Sequence, residues 1–282
     1  MSELDFRDWI GRTEEAEDFI ASAPLAGLAA TLDCNWEELA SDACVPPLWH
    51  WLYFLPRARA SELGCDGHPR KGGFLPPVEL PRRMWAGGRS VFHGPLNVGG
   101  QASRKSIIRA VRNKSGRSGQ LVFVTVQHQI FSDGQLAIEE EQDIVYRGAA
   151  ASGTPGGAPV KAPVGAAWQR VVAPDPVQLF RYSALTFNGH RIHYDEAYAK
   201  EQEGYPGLVV HGPLIATLLL ELVQHNQAPK RIRSFSFKAL HPTFLPAPFT
   251  VCGEPSGDGR AVDLWAKDCY GNLTMQASAT LL

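Results

Sequence analysis

The stretch His211-Gly-Pro-Leu-Ile-Ala-Thr-Leu-Leu-Leu-Glu-Leu-Val223 decides the fold. Nearly every position is apolar, so a helix here has no wet face and must be enclosed on most sides. After Pro229 come four strand-like runs, Ile232 to Leu240, Phe249 to Glu254, Ala261 to Asp268 and Leu273 to Leu282. The breaks between them read PAP, SGDG and YGN, which are turn signals. A buried helix followed by four consecutive strands predicts a helix wrapped in an antiparallel sheet. A further strand is expected at Trp168 to Val172.

Working outward, the upstream chain repeats this grammar in weaker form. Strand-like runs at Ser90 to Val98, Ser106 to Arg112, Leu121 to Phe131 and Ala137 to Tyr146 are separated by GGQ, NKSGRSG and SDGQ, and Pro46 to Phe54 (PPLWHWLYF) is read as a short counterpart of the buried helix. An internal duplication follows, in which the second half carries the chemistry. Residues 148–165 are rich in glycine, proline and alanine and cannot hold a core, so they are read as a linker between a first domain over 1–147 and a second over 166–282. Thr13 to Leu32 reads as an extra helix with an acidic start, interrupted at Pro24.

Composition narrows the function. The 282 residues suit two units that each bury a core, with 44% apolar and 20% charged residues. Basic residues number 27 against 29 acidic ones, a balance that excludes the strong positive field needed for nucleic acid or an anionic membrane. Five scattered cysteines form no metal-ligand spacing and read as reduced thiols. The amino-terminal residues carry no signal-like apolar run, and no run reaches the length of a membrane span, so a cytoplasmic protein is expected.

The chemistry-bearing stretch is Tyr182 to Ala199, YSALTFNGHRIHYDEAYA, followed by His211-Gly212-Pro213. It resembles the hydratase motif of the MaoC-like hot-dog family, which includes (R)-specific enoyl-CoA hydratases. Asn188 stands at that family's catalytic aspartate, His190 at its asparagine and Arg191 at its proline. His193, Asp195 and the His211-Gly212 pair match directly. The spelling FNGHRIHYD, Phe187 to Asp195, is similar to the subgroup of hydroxyacyl-thioester dehydratase type 2 and mesaconyl-C4-CoA and itaconyl-CoA hydratases, whose amino-terminal repeat is degenerate. The resemblance implies an α+β double hot dog, two antiparallel sheets each wrapped around a helix. It implies reversible hydration of an enoyl-CoA, in particular a short C5 dicarboxylyl-CoA. A dehydratase acting on acyl-carrier-protein thioesters, a thioesterase and a non-catalytic acyl-CoA-binding protein are the alternatives.

Hydrating an enoyl thioester requires a group that activates water, a proton source for the α-carbon and donors for an enolate-like oxygen. His193 fits the acid–base role because imidazole titrates near neutrality. Gly212, opening the apolar helix, can offer a free amide to the thioester oxygen. Asn188 can hold water but cannot take its proton, and His190 is the candidate second carrier. Arg191 could read a carboxylate through a planar fork or turn outward to pair with Asp195 or Glu196, and His211 could contact substrate or donate to a backbone carbonyl at the helix start. Arg82 and Arg83, with Arg70 and Lys71, could meet coenzyme A phosphates. Asp195 reads as a helix cap. Trp49, Trp51, Tyr53 and Phe54 read as core or subunit contact, or as an acyl tunnel. No metal or redox cofactor is expected, and a homo-oligomer is.

Overall fold

The computed structural model describes residues 5–35, 44–116, 119–148 and 159–282. In the first half β1 (Thr13–Phe19) leads to α1 (Ser22–Leu32), a single 3-10 turn (Trp49–Leu52), and then β2 (Arg82–Phe92), β3 (Gln101–Gly116), β4 (Gly119–Ser132) and β5 (Gln135–Arg147). In the second half β6 (Trp168–Val172) leads to α2 (Pro176–Leu185), a 3-10 turn (Arg191–His193), α3 (Glu196–Glu201), α4 (Gly212–Gln227), and then β7 (Ile232–Ala239), β8 (Phe249–Pro255), β9 (Ala261–Asp268) and β10 (Leu273–Leu281).

All ten strands form one antiparallel sheet in the order β1-β3-β4-β5-β2-β7-β10-β9-β8-β6. Read from either edge inward the order is the same, first, third, fourth, fifth, second, so the duplication is visible in the topology. The halves join where β2 pairs with β7, from Gly87 opposite Lys238 to Val91 opposite Ser234. Gly87 permits this approach: a Cβ there would lie 2.6 Å from the Phe237 carbonyl oxygen.

The apolar helix α4 behaves as its sequence requires. Leu214, Ala216, Leu219 and Val223 are fully enclosed, and the helix packs on every strand of its own half, β6 to β10. Burial of this kind stabilises by roughly 1.5–3 kcal/mol per large apolar side chain. A polar substitution at any of these enclosed positions would therefore be costly.

Three expectations are corrected. Thr13 to Leu32 is not one helix. Its first part is the edge strand β1, where Glu15 stands opposite Lys105 at 3.9 Å, and pairing with the basic stretch of β3 outweighs helical propensity. Its second part is α1, and Pro24 lies in the first turn, where an absent N–H costs nothing. Pro46 to Phe54 contributes only the turn Trp49–Leu52, so it does not fill the first sheet as α4 fills the second. Strands β2 and β3 start earlier than their apolar content indicates, at Arg82 and Gln101, because their polar ends still pair along the ladder. The linker reading over 148–165 falls mainly on 149–158, outside the described residues. Beyond it, Ala162 is buried and Lys161 bridges to Asn272, so 159–165 pack on the second half. Among the described residues no helix is long and apolar enough to cross a membrane.

Candidate active site

Helix α2 begins under an Asp175 cap, whose Oδ1 accepts the Gln178 N–H at 2.8 Å. Beyond its end the chain reverses at Phe187, a non-glycine residue in the left-handed region at φ 49°. That conformation costs about 1–2 kcal/mol and is held by the bonds on either side. Phe187 N–H donates to the Ala184 carbonyl at 3.2 Å and Asn188 N–H to the Ser183 carbonyl at 2.8 Å. The Asn188 Oδ1 then accepts the His190 N–H at 3.1 Å. Asn188 therefore makes a turn and also lines the cavity.

The 3-10 turn Arg191–His193 brings His193 into the interior, 7% exposed. Its Nδ1–H donates to the Val209 carbonyl at 2.7 Å. A carbonyl only accepts, so the proton is on Nδ1 and the Nε2 lone pair is free. Burial holds the imidazole neutral, with a pKa lowered to about 4. Behind it His211 stacks at 3.6 Å between ring centroids, tilted by 18°.

His211 itself does not line the cavity. Its Nε2 is 2.8 Å from the Ser183 hydroxyl, and its burial pushes the pKa well below the usual value. The expectation that it contacts substrate or a backbone carbonyl is thus corrected to a buttress for the His193 ring. Gly212, the next residue, does line the cavity. It is the first residue of α4, and its amide makes no backbone hydrogen bond among the described residues.

The first half reaches into this site through a loop. Arg191 N–H donates to the Asp66 carbonyl at 2.9 Å, and Gly67 faces Gly189 so closely that a Cβ on Gly67 would lie 1.9 Å from the Gly189 oxygen. Asp66 Oδ2 is 2.9 Å from His68 Nδ1, and the His68 ring lies 4.1 Å from that of His190, which in turn is 5.6 Å from His193. Burial pushes the Asp66 carboxyl up, but the His68 hydrogen bonds and charge outweigh it and hold it well below the carboxylate range. His190 is driven down to about 2 by burial and by the neighbouring imidazoles. Asp66, His68 and His190 together bring three metal-type donor atoms within 4.8 Å of one another.

Two of the candidate arginines pair with protein carboxylates, Arg191 in the outward arrangement. Arg191 pairs with Asp195 through Nε at 3.0 Å and Nη2 at 2.7 Å, lies over the Tyr198 ring at 4.3 Å, and is turned away from the cavity. An aspartate four residues on, displayed on the same side of the turn, captures the fork. Arg82 is also committed, pairing with Glu203 at 2.8 Å across the two halves. Arg83, in contrast, lines the cavity, and its charge acts on both His68 and His190.

The cavity has a volume of about 1030 Å³ and runs from Asn188, His193 and Gly212 to the inner faces of β4 and β5. Trp51, Tyr53 and Phe54 line it, in keeping with the tunnel reading, while Trp49 is buried in the core. Its far wall holds Glu140, 2% exposed, which accepts from Trp51 Nε1 at 2.7 Å and Gln142 Nε2 at 3.2 Å. Burial raises this carboxyl, yet His50, His128 and the hydrogen bonds bring it down to about 2.

The family model for hydroxyacyl-thioester dehydratase type 2 matches residues 48–245, which include every site residue named above. The chain belongs to the hydroxyacyl-thioester dehydratase type 2 family. With the family comes the reaction class, that of a hydro-lyase acting on acyl thioesters. This family member is 52% identical over 282 residues to a mesaconyl-C4-CoA hydratase of Chloroflexus aurantiacus, covering 100% of this chain and 99% of that one. It is 30% identical over 272 residues to the mitochondrial hydroxyacyl-thioester dehydratase type 2 of Schizosaccharomyces pombe, covering 86% and 90%. Its fold matches a MaoC-like dehydratase from Phytophthora capsici with a TM-score of 0.71 at 14% identity, covering 98% and 97%. A Mycobacterium tuberculosis protein described as a double hot dog matches at 0.57 and 12% identity, covering 97% and 96%. The architecture is that of the double hot dog.

Asp66 and His68 are the site residues of this hydroxyacyl-thioester dehydratase type 2 relative that sequence reading missed. They lie in a glycine- and proline-rich loop far upstream of His193, and no spacing rule links the two segments. The dipeptide pattern Asp-Gly-His was the available signal, and it is a common turn spelling.

Proposed function

We propose that this chain reversibly hydrates a short enoyl-CoA carrying a C5 dicarboxylyl group, with mesaconyl-C4-CoA as the preferred substrate and itaconyl-CoA as the neighbouring candidate. The observation that carries the reading is His193, neutral, pinned through Nδ1 to Val209 and free at Nε2, in the same cavity as the Gly212 amide. His193 Nε2 takes a proton from water as the oxygen bonds to the β-carbon. The π pair moves toward the thioester oxygen, where the Gly212 N–H and the positive end of α4 stabilise the developing charge. A proton then reaches the α-carbon, and in the minimal scheme His193 returns it. Asn188 holds the water by hydrogen bonds.

The relative from Chloroflexus, at 52% identity over the full length, supports the dicarboxylyl choice. With Arg191 committed to Asp195, Arg83 is the cation that best meets the acyl carboxylate, and Arg70 and Lys71 at the cavity edge suit the coenzyme A phosphates. No metal or redox cofactor takes part. We further propose a cytoplasmic homo-oligomer: exposed Val171 on β6 and Val177 on α2 give an apolar contact for a second copy. Sedimentation as a monomer would exclude the oligomer.

The test follows loss of the conjugated enoyl absorbance with mesaconyl-C4-CoA, itaconyl-CoA, crotonyl-CoA and a crotonyl-acyl-carrier protein. The dicarboxylyl-CoA esters should give the highest kcat/KM. A preference for the carrier-protein substrate would move the chain to fatty-acid dehydration, and inactivity on all four would remove the hydratase reading.

A further inference from the structure

Asn188 leaves this site without a carboxylate on the catalytic loop, and an amide cannot carry a proton. The carboxylate nearest the histidines comes from the other half of the molecule. Asp66 uses both oxygens on His68: Oδ1 accepts the His68 backbone N–H at 3.0 Å and Oδ2 lies 2.9 Å from Nδ1. With Nδ1 turned to the carboxylate, Nε2 points to the other side of the ring, and His68 lines the cavity beside His190 and His193. His68 is near enough for its charge to act on His193.

The loop is fixed against the catalytic turn by the Arg191 N–H to Asp66 carbonyl bond, by the Arg191 Nη1 to Cys65 carbonyl bond at 3.2 Å and by the Gly67–Gly189 contact. A pair that only stabilised its own loop would not need this docking. His190, the other imidazole at hand, has a ring nitrogen within 4.8 Å of the donor atoms of Asp66 and His68 and stands next to both His68 and His193.

We propose that the Asp66–His68 pair is a second proton-transfer station of this active site, supplying from the first half the acid–base capacity that Asn188 lacks. The proposal rests on the hydratase reading above. In hydration His193 Nε2 accepts the proton of the attacking water, and His68, as an imidazolium paired with Asp66, gives its Nε2 proton to the α-carbon as the C–O bond forms at the β-carbon. Afterwards His193 is charged and His68 neutral, and the proton returns to His68 through solvent in the cavity. Dehydration runs the same transfers backwards. Burial acts most strongly on His68 and its pKa is lowered; of the groups facing it Asp66 favours the charged form, and Arg83, Lys71 and His190 oppose it. A substrate carboxylate next to Arg83 offsets that cation and favours a charged His68.

The experiment compares wild type with His68→Gln, Asp66→Asn and the double variant His68→Gln/Asn188→Asp on the best enoyl-CoA of the panel, over pH 5 to 9, with folding followed by circular dichroism. The expected result for His68→Gln is a ~10- to 100-fold lower kcat with KM within a few-fold, as for loss of a general acid. The alkaline fall of kcat/KM in the hydration direction should disappear with it. Asp66→Asn should move that fall to lower pH, because His68 then holds its proton less tightly. Asn188→Asp should recover part of the rate in the His68→Gln background, which a merely structural role of His68 does not predict. A folded His68→Gln with wild-type kcat, or with a lower rate and an unchanged pH profile, overturns the proposal while leaving the hydratase reading intact. Wild-type inactivity on every enoyl thioester overturns both. Loss of activity in a chelator with recovery on adding zinc also overturns it, since Asp66, His68 and His190 would then be metal ligands. If His68→Gln does not fold, the size-conserving Asp66→Asn carries the test through its pH profile.

Discussion

At the scale of the residue, the reactivity of His193 follows from two contacts. The Val209 carbonyl fixes the proton on Nδ1, and burial keeps the ring neutral with a pKa near 4. His193→Ala should lower kcat by at least ~100-fold while the protein stays folded. The pH dependence has a definite sign. The base works unprotonated and its pKa is lowered, so the His193 limb of the hydration profile should be flat through neutrality and fall only as pH drops toward about 4. An acid limb centred at pH 6 or above would show that another group limits the rate. Arg191 makes the opposite case, since its fork is spent on Asp195 at the protein surface. Arg191→Ala should therefore reduce turnover of mesaconyl-C4-CoA and crotonyl-CoA by the same modest factor, below ~5-fold. A selective loss on the dicarboxylyl ester would return Arg191 to the binding site.

At the scale of the element, α4 joins the core to the chemistry. Its apolar surface forces it into the second half, and that burial aims its amino end at the cavity. Gly212 has ample room on the protein side, where a Cβ would meet only Met275 Cε at 3.9 Å. Proline is tolerated at the first helical position because its missing N–H has no intrahelical acceptor. Gly212→Pro should accordingly keep near-wild-type thermal stability and lose ~100-fold or more in kcat, the cost of removing one oxyanion donor. Equal losses of stability and activity would show that Gly212 serves packing alone. Strand β1 teaches the reverse lesson: Thr13–Phe19 is rich in acidic residues suited to a helix start, yet it pairs along its whole length with β3, whose basic residues face its acidic ones.

At the scale of the whole molecule, the same fold that makes the site makes it acid-sensitive. His193 and His128 are buried with pKa values lowered to about 4, and His211 is lower than usual as well. In the unfolded chain these imidazoles titrate near the ordinary imidazole value of about 6.5. Below that pH the unfolded state binds protons that the native state refuses, so stability is complete above the unfolded value and falls as pH drops toward the folded one. Between pH 7.5 and 5 each such group should remove on the order of 1–2 kcal/mol, by linkage of about 1.36 kcal/mol per pKa unit. Urea midpoints measured across that range should therefore fall steadily. A flat profile would mean that these histidines are solvated in the native state.

What the sequence determined by itself is what local pattern can express. The apolar run of α4, the turn-punctuated strands of the second half and the Asn188 to Asp195 motif were all legible, because hydrophobic period and motif spacing are properties of consecutive residues. What only the tertiary structure decided is what depends on partners distant in the chain. The stacking of His211 behind His193, the commitment of Arg82 to Glu203 and the arrival of Asp66 and His68 beside His190 all depend on which segments the ten-stranded sheet brings together. A charged or titratable side chain reads the same in sequence whether it faces water, a counter-ion or a substrate, and its energy is set by distance and burial, which exist only in the fold.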